Sequence, residues 1–413
     1  MKILYIVPNP PSLVRVRPYN LIRHLCARGH QLTVATVWSN EEERSDVKHL
    51  RRQGIEVLAA PLPKGQIVRN LFRALATGAP LQAYYAYSPI LAGQLQRLLG
   101  SVEGQRFDLV HVEHLRGAQY GLAIRSSQFA IPIVWDSVDC ITYLFEQAAA
   151  HSRSCKGRLM ARLELARTRC HEARLVRQFD RVLVTSDVDR QALIDLALRF
   201  TVHGSRFEPE TISVIPNGVD LSYFAPTDKP REPNTLVITG KMSYHANVTA
   251  VLHLVNDIMP YVWAQRPDVK VWIVGKNPPQ LVRALAIRNS PFVIQITGTV
   301  PDIRPYLCRA TLAVAPMPYG AGIQNKVLEA MACTTPVVAN RQAVSALEAV
   351  DGEHLLVAED AAAFAQYILD LLANKALQRR LGRAGRRYVE QHHDWNRIAE
   401  RLERIYTELG AIR

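Results

Sequence analysis

The sequence predicts an α/β protein of two doubly wound parallel sheets, and three observations carry that reading. Short apolar runs of strand length recur along the chain with helical stretches between them. The alternation halts at a polar, proline-rich segment, residues 227–234, and then restarts. At 413 residues the chain is also too long for one ordinary core, so two domains are expected.

The elements follow in order. Residues 3–7 (Ile-Leu-Tyr-Ile-Val) form the first strand, too short for a signal peptide or a membrane span. Residues 9–17 are read as a loop and 19–28 as a helix ended by Gly29. Further strands fall at 31–37, 55–59, 109–112, 133–135 and 182–184. In such sheets ligands lie beyond the carboxyl ends of the strands. The residues to watch are therefore Asn9 to Arg17, Glu113, His114, Asp136, Asp139 and Ser186. Pro216-Asn217-Gly218 is a turn signal. After it come a strand at 235–239, a loop at 240–247, a helix at 248–266, and strands at 269–274 and 293–296. The first domain is placed at 1–218 and the second at 219–394. Three C-terminal helices are read, at 361–372, 377–391 and 395–409.

Composition narrows the class. The chain is 48% hydrophobic and 21% charged, as soluble globular proteins are. A net charge of +13 favours something anionic as partner. The six cysteines are scattered, with no Cys-x-x-Cys or metal-ligand spacing, which predicts free thiols in a reducing cytosol and no metal site. Between 151 and 181 lie nine cations: Arg153, Lys156, Arg158, Arg162, Arg167, Arg169, Arg174, Arg177 and Arg181. Leu159, Leu163, Ala166, Cys170 and Ala173 recur there at helical spacing. The favoured reading is an amphipathic helix packed on the sheet by its leucines, with the arginines in solvent. The alternative is contact with anionic lipid headgroups or a phosphorylated acceptor. Nucleic acid is not expected, because no recognisable nucleic-acid module accompanies the charge.

One stretch carries most of the chemistry. The apolar run 310–315 reads as a buried strand, ended by Pro316 and Pro318. Gly320 and Gly322 let the backbone approach a ligand closely. Residues 324–332 form a helix with Val327, Leu328 and Met331 on its apolar side. The N–H groups of the first turn and the helix dipole favour a phosphate. Lys326 adds a cation there, and Glu329, one turn on, suits a pair of sugar hydroxyls. The same residues also make an ordinary turn followed by an i, i+3 surface pair.

The chain resembles a family 4 glycosyltransferase of GT-B architecture. The resemblance rests on Val214-Ile-Pro-Asn-Gly-Val-Asp-Leu-Ser-Tyr-Phe-Ala-Pro226 and Lys326-Val-Leu-Glu-Ala-Met-Ala-Cys-Thr-Thr-Pro-Val-Val-Ala339, supported by residues 179–186 and 384–395. Residues 239–247 and 322–330 further resemble the exopolysaccharide and exosortase-associated branch. The resemblance implies two facing Rossmann-like domains and a last helix, about 395–413, returning to the first. It implies a retaining, metal-independent hexosyltransferase of polysaccharide biosynthesis, cytoplasmic and peripheral at the inner face of the membrane. The donor would be a UDP- or GDP-sugar, without a further cofactor, and the acceptor a glycan or lipid-linked chain. The basic segment 153–181 would meet the anionic membrane.

Residue by residue, the resemblance puts Glu329 on the ribose hydroxyls, while Ala321 stands where a first motif glutamate is usual. Gly322, Ile323 and Gln324 are left to face the donor sugar, and Asn325 belongs to the donor-binding set. Gly240 and Lys241 match the diphosphate loop. Asn247 takes its second cationic position, so that Lys326 supplies the charge. Gly298, Thr299 and Val300 match the base-binding loop. In the first domain Pro10-Pro11-Ser12 replaces the usual glycine pair. Arg15 and Arg17 follow it on the acceptor side with Asp136 and Asp139. Arg17 reads equally as an ion-pair partner at a helix start, and the aspartates as helix caps. Glu113 or His114 matches the residue near the transferred sugar, and His114 also reads as a plain loop histidine. Other functions for this architecture are a sugar-nucleotide epimerase and a non-catalytic partner protein.

Overall fold

The structure is a computed structural model describing residues 1–413 except 102–106, 128, 152–154, 201–206, 289–293, 321 and 412–413. Arg153, Val293 and Ala321, and the side chain of Lys156, lie outside the described residues. The chain divides into two compact units. One comprises residues 1–145, 162–216 and 395–413; the other comprises 146–161 and 217–394.

The first unit holds a seven-stranded parallel sheet: β1 (Lys2–Val7), β2 (Gln31–Trp38), β3 (Glu56–Pro61), β4 (Leu109–Glu113), β5 (Ile133–Val138), β6 (Arg181–Val184) and β7 (Ile212–Val214). Their order is β3-β2-β1-β4-β5-β6-β7, so the winding reverses between β1 and β4. The strands are rich in apolar residues because both faces of the sheet are covered, with His111, Glu113 and Asp136 among the buried polar exceptions. In β1, Leu4 and Ile6 enter one core with Val112 and Trp135. Ile3, Tyr5 and Val7 enter the other core, with Leu109 and Val134. The helix Trp395–Ala411 completes that second core through Trp395, Ile398, Leu402, Tyr406 and Leu409, beside the helix Val16–Ala27.

The second unit holds six parallel strands: β8 (Thr235–Thr239), β9 (Lys270–Val274), β10 (Ile294–Gly298), β11 (Leu312–Ala315), β12 (Val337–Asn340) and β13 (Leu356–Ala358). Their order, β10-β9-β8-β11-β12-β13, reverses between β8 and β11.

Four local expectations change. The first helix begins at Val16, which places Arg17 in its first turn rather than in a loop. β5 runs through Val138, so Asp136 is a strand residue. The helix expected over 248–266 is interrupted by a π turn, Leu254–Ile258. Pro260 accounts for the break, since it lacks an N–H and its ring crowds the carbonyl four residues back. Finally, the basic helix Cys155–Leu175 does not pack by Leu159 and Leu163, which are 59% and 61% exposed, although Ala173 and Leu175 at its end are buried. Its inward face is Ala161, Glu164, Thr168 and Glu172. Glu164 accepts from Leu81 N–H at 2.7 Å, and Glu172 from Ile141 and Thr142 N–H at 2.9 and 2.8 Å.

Candidate functional site

In the second unit the chemistry gathers at the carboxyl ends of β8 and β11, where the strand order reverses. Past β11 the backbone is held by side chains. Asn340 donates to Met317 O at 2.7 Å and accepts from Met317 N–H at 3.1 Å, while Gln342 donates to Gly320 O at 2.9 Å. Gly322 then turns the chain with φ +63°, in the left-handed region glycine favours. The helix Asn325–Ala332 follows, with Gln324 at its N-cap and no side-chain capping bond. At its far end the Arg231 guanidinium donates to Cys333 O and Thr334 O at 3.3 and 3.0 Å, and Arg386 to Ala332 O at 2.7 Å. Cations at the carbonyl end complement the dipole and fix the helix in place.

Lys326 and Glu329 are both half-buried on this helix. The Lys326 ammonium donates to Asn247 Oδ1 at 2.6 Å and lies 3.2 Å from Met317 Sδ. Among the described residues no carboxylate lies within ion-pair distance of it. Burial pushes its pKa down to about 8, partly opposed by Glu329, and pushes Glu329 up to about 7, opposed by Lys326.

Asn247 also donates to Lys241 O at 3.0 Å, so one amide orients both the ammonium and the loop after β8. That loop touches the next one backbone to backbone. Gly240 N–H donates to Val274 O at 3.1 Å, and a Cβ added at Gly275 would stand 1.8 Å from Gly240 O. The Lys241 side chain is exposed. His245 Nδ1 is 2.6 Å from the hydroxyl of the fully buried Tyr319, and their rings stack at 5.5 Å. β10 ends at Gly298 with φ +69°; Thr299 beyond it is exposed and Val300 half-buried.

In the first unit a buried polar cluster occupies the ends of β1, β4 and β5. Arg17 grips Asp136 through two bonds, Nε–Oδ2 at 2.8 Å and Nη2–Oδ1 at 3.1 Å. Its Nη1 donates to Ile215 O and Pro216 O at 3.0 and 3.3 Å. His111 Nε2 lies 3.6 Å from the same carboxylate, its Nδ1 meets the Tyr406 hydroxyl at 2.7 Å, and its ring stacks on Tyr5 at 4.2 Å. Tyr5 donates to Glu113 Oε2 at 3.2 Å. Desolvation opposes the Asp136 charge, but Arg17 and His111 outweigh it and hold the carboxyl at about 2. Glu113 lacks such a cation, and burial followed by repulsion from Asp136 pushes it up to about 8. His114 starts the next helix with φ +63°, and burial then Arg116 pushes it down to about 3, which leaves the imidazole neutral.

The first unit also turns several expected acceptor-side groups toward the protein. Arg17 and Asp136 bind each other, as the ion-pair reading of Arg17 had it. Arg15 pairs with Glu43 at 2.6 Å and donates to Pro10 O at 3.1 Å. Glu43 is the organiser of that corner, accepting as well from Ser39 N–H and Oγ, both at 2.8 Å. Asp139 accepts from Thr185 Oγ1 at 3.2 Å. Neither Asp136 nor Asp139 caps the helix Ile141–His151. Glu172 and Asp189 take its first N–H groups and that of Cys140. Ser12 is half-buried in the loop after β1. Nothing in the local sequence marks Glu172, because its partners come from a distant element, whereas Glu43 and Asp189 stand three residues after the N-cap residues Asn40 and Ser186, a local capping signal.

The family model described as "Glycosyl transferase 4-like domain" matches residues 14–218, and that described as "Glycosyl transferases group 1" matches 233–374. The chain belongs to the family 4 glycosyltransferases. Among relatives of this glycosyltransferase is the phosphatidyl-myo-inositol mannosyltransferase of Mycobacterium leprae. It is 29% identical over 230 residues, 53% of this chain and 59% of that one. The alpha-maltose-1-phosphate synthase of Mycolicibacterium smegmatis is 29% identical over 232 residues, 49% of this chain and 58% of that one. The match thus spans less than two thirds of either relative. Sucrose-phosphate synthase from Thermosynechococcus elongatus superposes with a TM-score of 0.73 at 19% identity, covering 100% of both chains. Anabaena HepE, solved with UDP-glucose, gives 0.67 at 15% identity, covering 99% of this chain and 100% of that one. Both likenesses establish the GT-B fold for this glycosyltransferase.

Proposed function

We propose that the protein transfers a sugar from a nucleoside-diphosphate donor to a glycan or lipid-linked acceptor in polysaccharide biosynthesis, with retention at the anomeric carbon. One observation carries this reading. Lys326 presents an ammonium held by a neutral amide and a thioether, at the start of a helix whose far end is fixed by Arg231 and Arg386. Departure of the nucleoside diphosphate puts negative charge on the β-phosphate. A fixed ammonium and a helix N-terminus stabilise that charge without reorganising during the reaction. In this reading Lys241 joins Lys326 in the place of a divalent ion. Glu329 receives the ribose hydroxyls, and Gly298, Thr299 and Val300 border the base. Gly322, Ile323, Gln324 and Asn325 face the sugar. Glu113 and the neutral His114 are the first unit's candidates for contact with the substrate. HepE, whose complexes contain UDP, UDP-glucose and glucose, supports a uridine nucleotide as the first donor to try. The acceptor's lipid carrier would bring the protein to a membrane surface as a peripheral protein. Among the described residues no helix is long and apolar enough to cross one.

The test is a thermal-shift screen of UDP- and GDP-sugars, followed by transfer assays with the stabilising donor. Stabilisation by one donor class, abolished in Lys326→Ala, is expected. A donor altered without any acceptor present would identify an epimerase instead, and full transfer by Lys326→Ala would refute the phosphate role.

A further inference from the structure

We infer that the first unit carries a phosphate site of its own, between Arg116 and Arg15, for the phosphate group of a phosphorylated acceptor. Arg116 stands in the first turn of the helix His114–Arg125, directly after β4. It is half-buried, and its Nε is sealed from solvent with no hydrogen-bond partner. Among the described residues its guanidinium makes no hydrogen bond and no ion pair; it lies over the Tyr85 ring at 5.4 Å. The unit treats its other sheltered arginines differently. Arg17 holds Asp136, and Arg177, Arg181 and Arg190 each donate to carbonyl oxygens. A guanidinium offers five N–H donors, and one aromatic face replaces little of the water they lose. A desolvated cation without an acceptor is costly to keep, so its retention asks for an anion from outside the chain.

Place and charge say which anion. The strand order reverses between β1 and β4, and ligands of such sheets sit at that point beyond the carboxyl ends. Arg15 comes from the loop after β1 and Arg116 from the turn after β4, so each side of the switch point supplies a cation. Arg15 is anchored on Glu43, yet its side chain is 33% exposed and open to a second anion. The two are close enough for Arg15 to push the Arg116 pKa down, after burial, and no carboxylate opposes that. Glu113, the nearest carboxyl in sequence, is pushed up to about 8 and is uncharged at neutral pH. His114 holds a left-handed φ of +63°, and its Nδ1 accepts from Arg116 N–H at 3.4 Å, which fixes the turn that carries Arg116. That helix start has no side-chain cap. Two guanidiniums and an uncapped helix start suit a dianion. A phosphate matches that charge and the planar fork of Arg116, whereas a sugar carboxylate brings a single charge.

That an acceptor brings the phosphate rests on the transferase reading; the phosphate site does not, and the test separates them. Melting of the full chain is followed in chloride and in inorganic phosphate at matched ionic strength, for the wild type, Arg116→Met and Lys326→Ala. In chloride Arg116→Met should melt no lower than the wild type, since it removes a charge that nothing in the chain compensates. A fall of several degrees would reveal an internal partner and overturn the inference. Phosphate should stabilise the wild type and Lys326→Ala more than Arg116→Met. Equal stabilisation of Arg116→Met, or a gain lost in Lys326→Ala alone, would overturn it as well. Phenylglyoxal modification read by mass spectrometry then reports on Arg116 itself. Phosphate should protect this residue and acetate should not; protection by neither, or by both equally, counts against the site. Glucose 6-phosphate and farnesyl diphosphate distinguish the sources. Protection at lower concentration by the first marks a soluble phosphorylated sugar as acceptor, and by the second a lipid-linked diphosphate. With the better of the two, Arg116→Met should bind at least about tenfold more weakly, the value of one charge-assisted contact. Phosphate bound at Arg116 without any sugar transfer would refute the transferase reading and leave the site standing.

Discussion

Replacing Arg17 with Met should destabilise the first unit about as much as the largest truncations of its apolar core. The Arg17 side chain is 5% exposed and that of Asp136 not at all, so the substitution leaves a carboxylate without its cation in a dry site. Two carbonyls, Ile215 O and Pro216 O, lose a donor at the same time. Breaking one side of a buried pair costs about 3–5 kcal/mol. In a unit of this size that lowers the melting temperature by roughly 6–20 °C. Asp136→Leu alone strands the guanidinium in the same way. The double variant Arg17→Met, Asp136→Leu removes both charges and should melt no lower than Arg17→Met alone. Calorimetry on the four proteins gives the coupling, and simple additivity of the two single losses would refute the reasoning. Acid provides a second check. The Asp136 carboxyl is held at about 2, below the usual carboxylate value, so its contribution is complete above that usual value and is lost as pH falls through 2. The gap between wild type and Arg17→Met should therefore narrow from pH 4 downward.

Three further outcomes are expected. Lys326→Ala should weaken donor binding by about ten- to a hundredfold, the range of one charge-assisted contact, and should remove an alkaline decline in affinity that begins near pH 8 in the wild type; calorimetric titration across pH 6–9 checks both. Gly382→Ala should lower the melting temperature of the second unit by several degrees, because the added Cβ would stand 2.2 Å from Thr334 O, a backbone atom with little room to yield. The stability of the first unit should decline as pH rises from 5 to 8. Glu113 is raised to about 8, and Glu172 and Asp139 to about 7, so each contributes fully below its ordinary value and loses that contribution on ionising. Melting temperatures that rise over this interval would contradict the assignment.

Most of the strands, β12 and β13 excepted, were readable because burial on both faces makes them largely apolar runs. The Lys326–Glu329 helix was readable because its glycines, cation and carboxylate are neighbours in sequence. The Arg17–Asp136 pair was not, because its members stand 119 residues apart and each looks alone like an exposed end-of-strand charge. Glu172 shows the same limit more sharply. In sequence it is one acid among many arginines, yet in the fold it is fully buried and replaces the capping residues expected nearer the helix Ile141–His151. Periodicity revealed that Cys155–Leu175 has two faces, but not which one points inward. That choice is made by the N–H groups of Leu81, Ile141 and Thr142, which need acceptors more than the sheet needs two further leucines.

Asn247 gives the donor side its distinctive electrostatics. An arginine there would hold its charge at any physiological pH and would repel Lys326. The amide instead offers one oxygen to the ammonium and one N–H to Lys241 O, so it orients the site without charging it. The positive charge buried beside the glycine loop is thereby reduced to Lys326, with a pKa near 8, facing Glu329 near 7. Both groups titrate within about a unit of neutrality, and a bound diphosphate would draw Lys326 upward and keep it charged. Such a site is nearly neutral until its ligand arrives, which fits an ammonium that sits on a thioether and an amide without a carboxylate in ion-pair contact. Charging then accompanies binding, so donor uptake above pH 8 should be coupled to uptake of about one proton, a stoichiometry that the buffer dependence of the binding enthalpy measures directly.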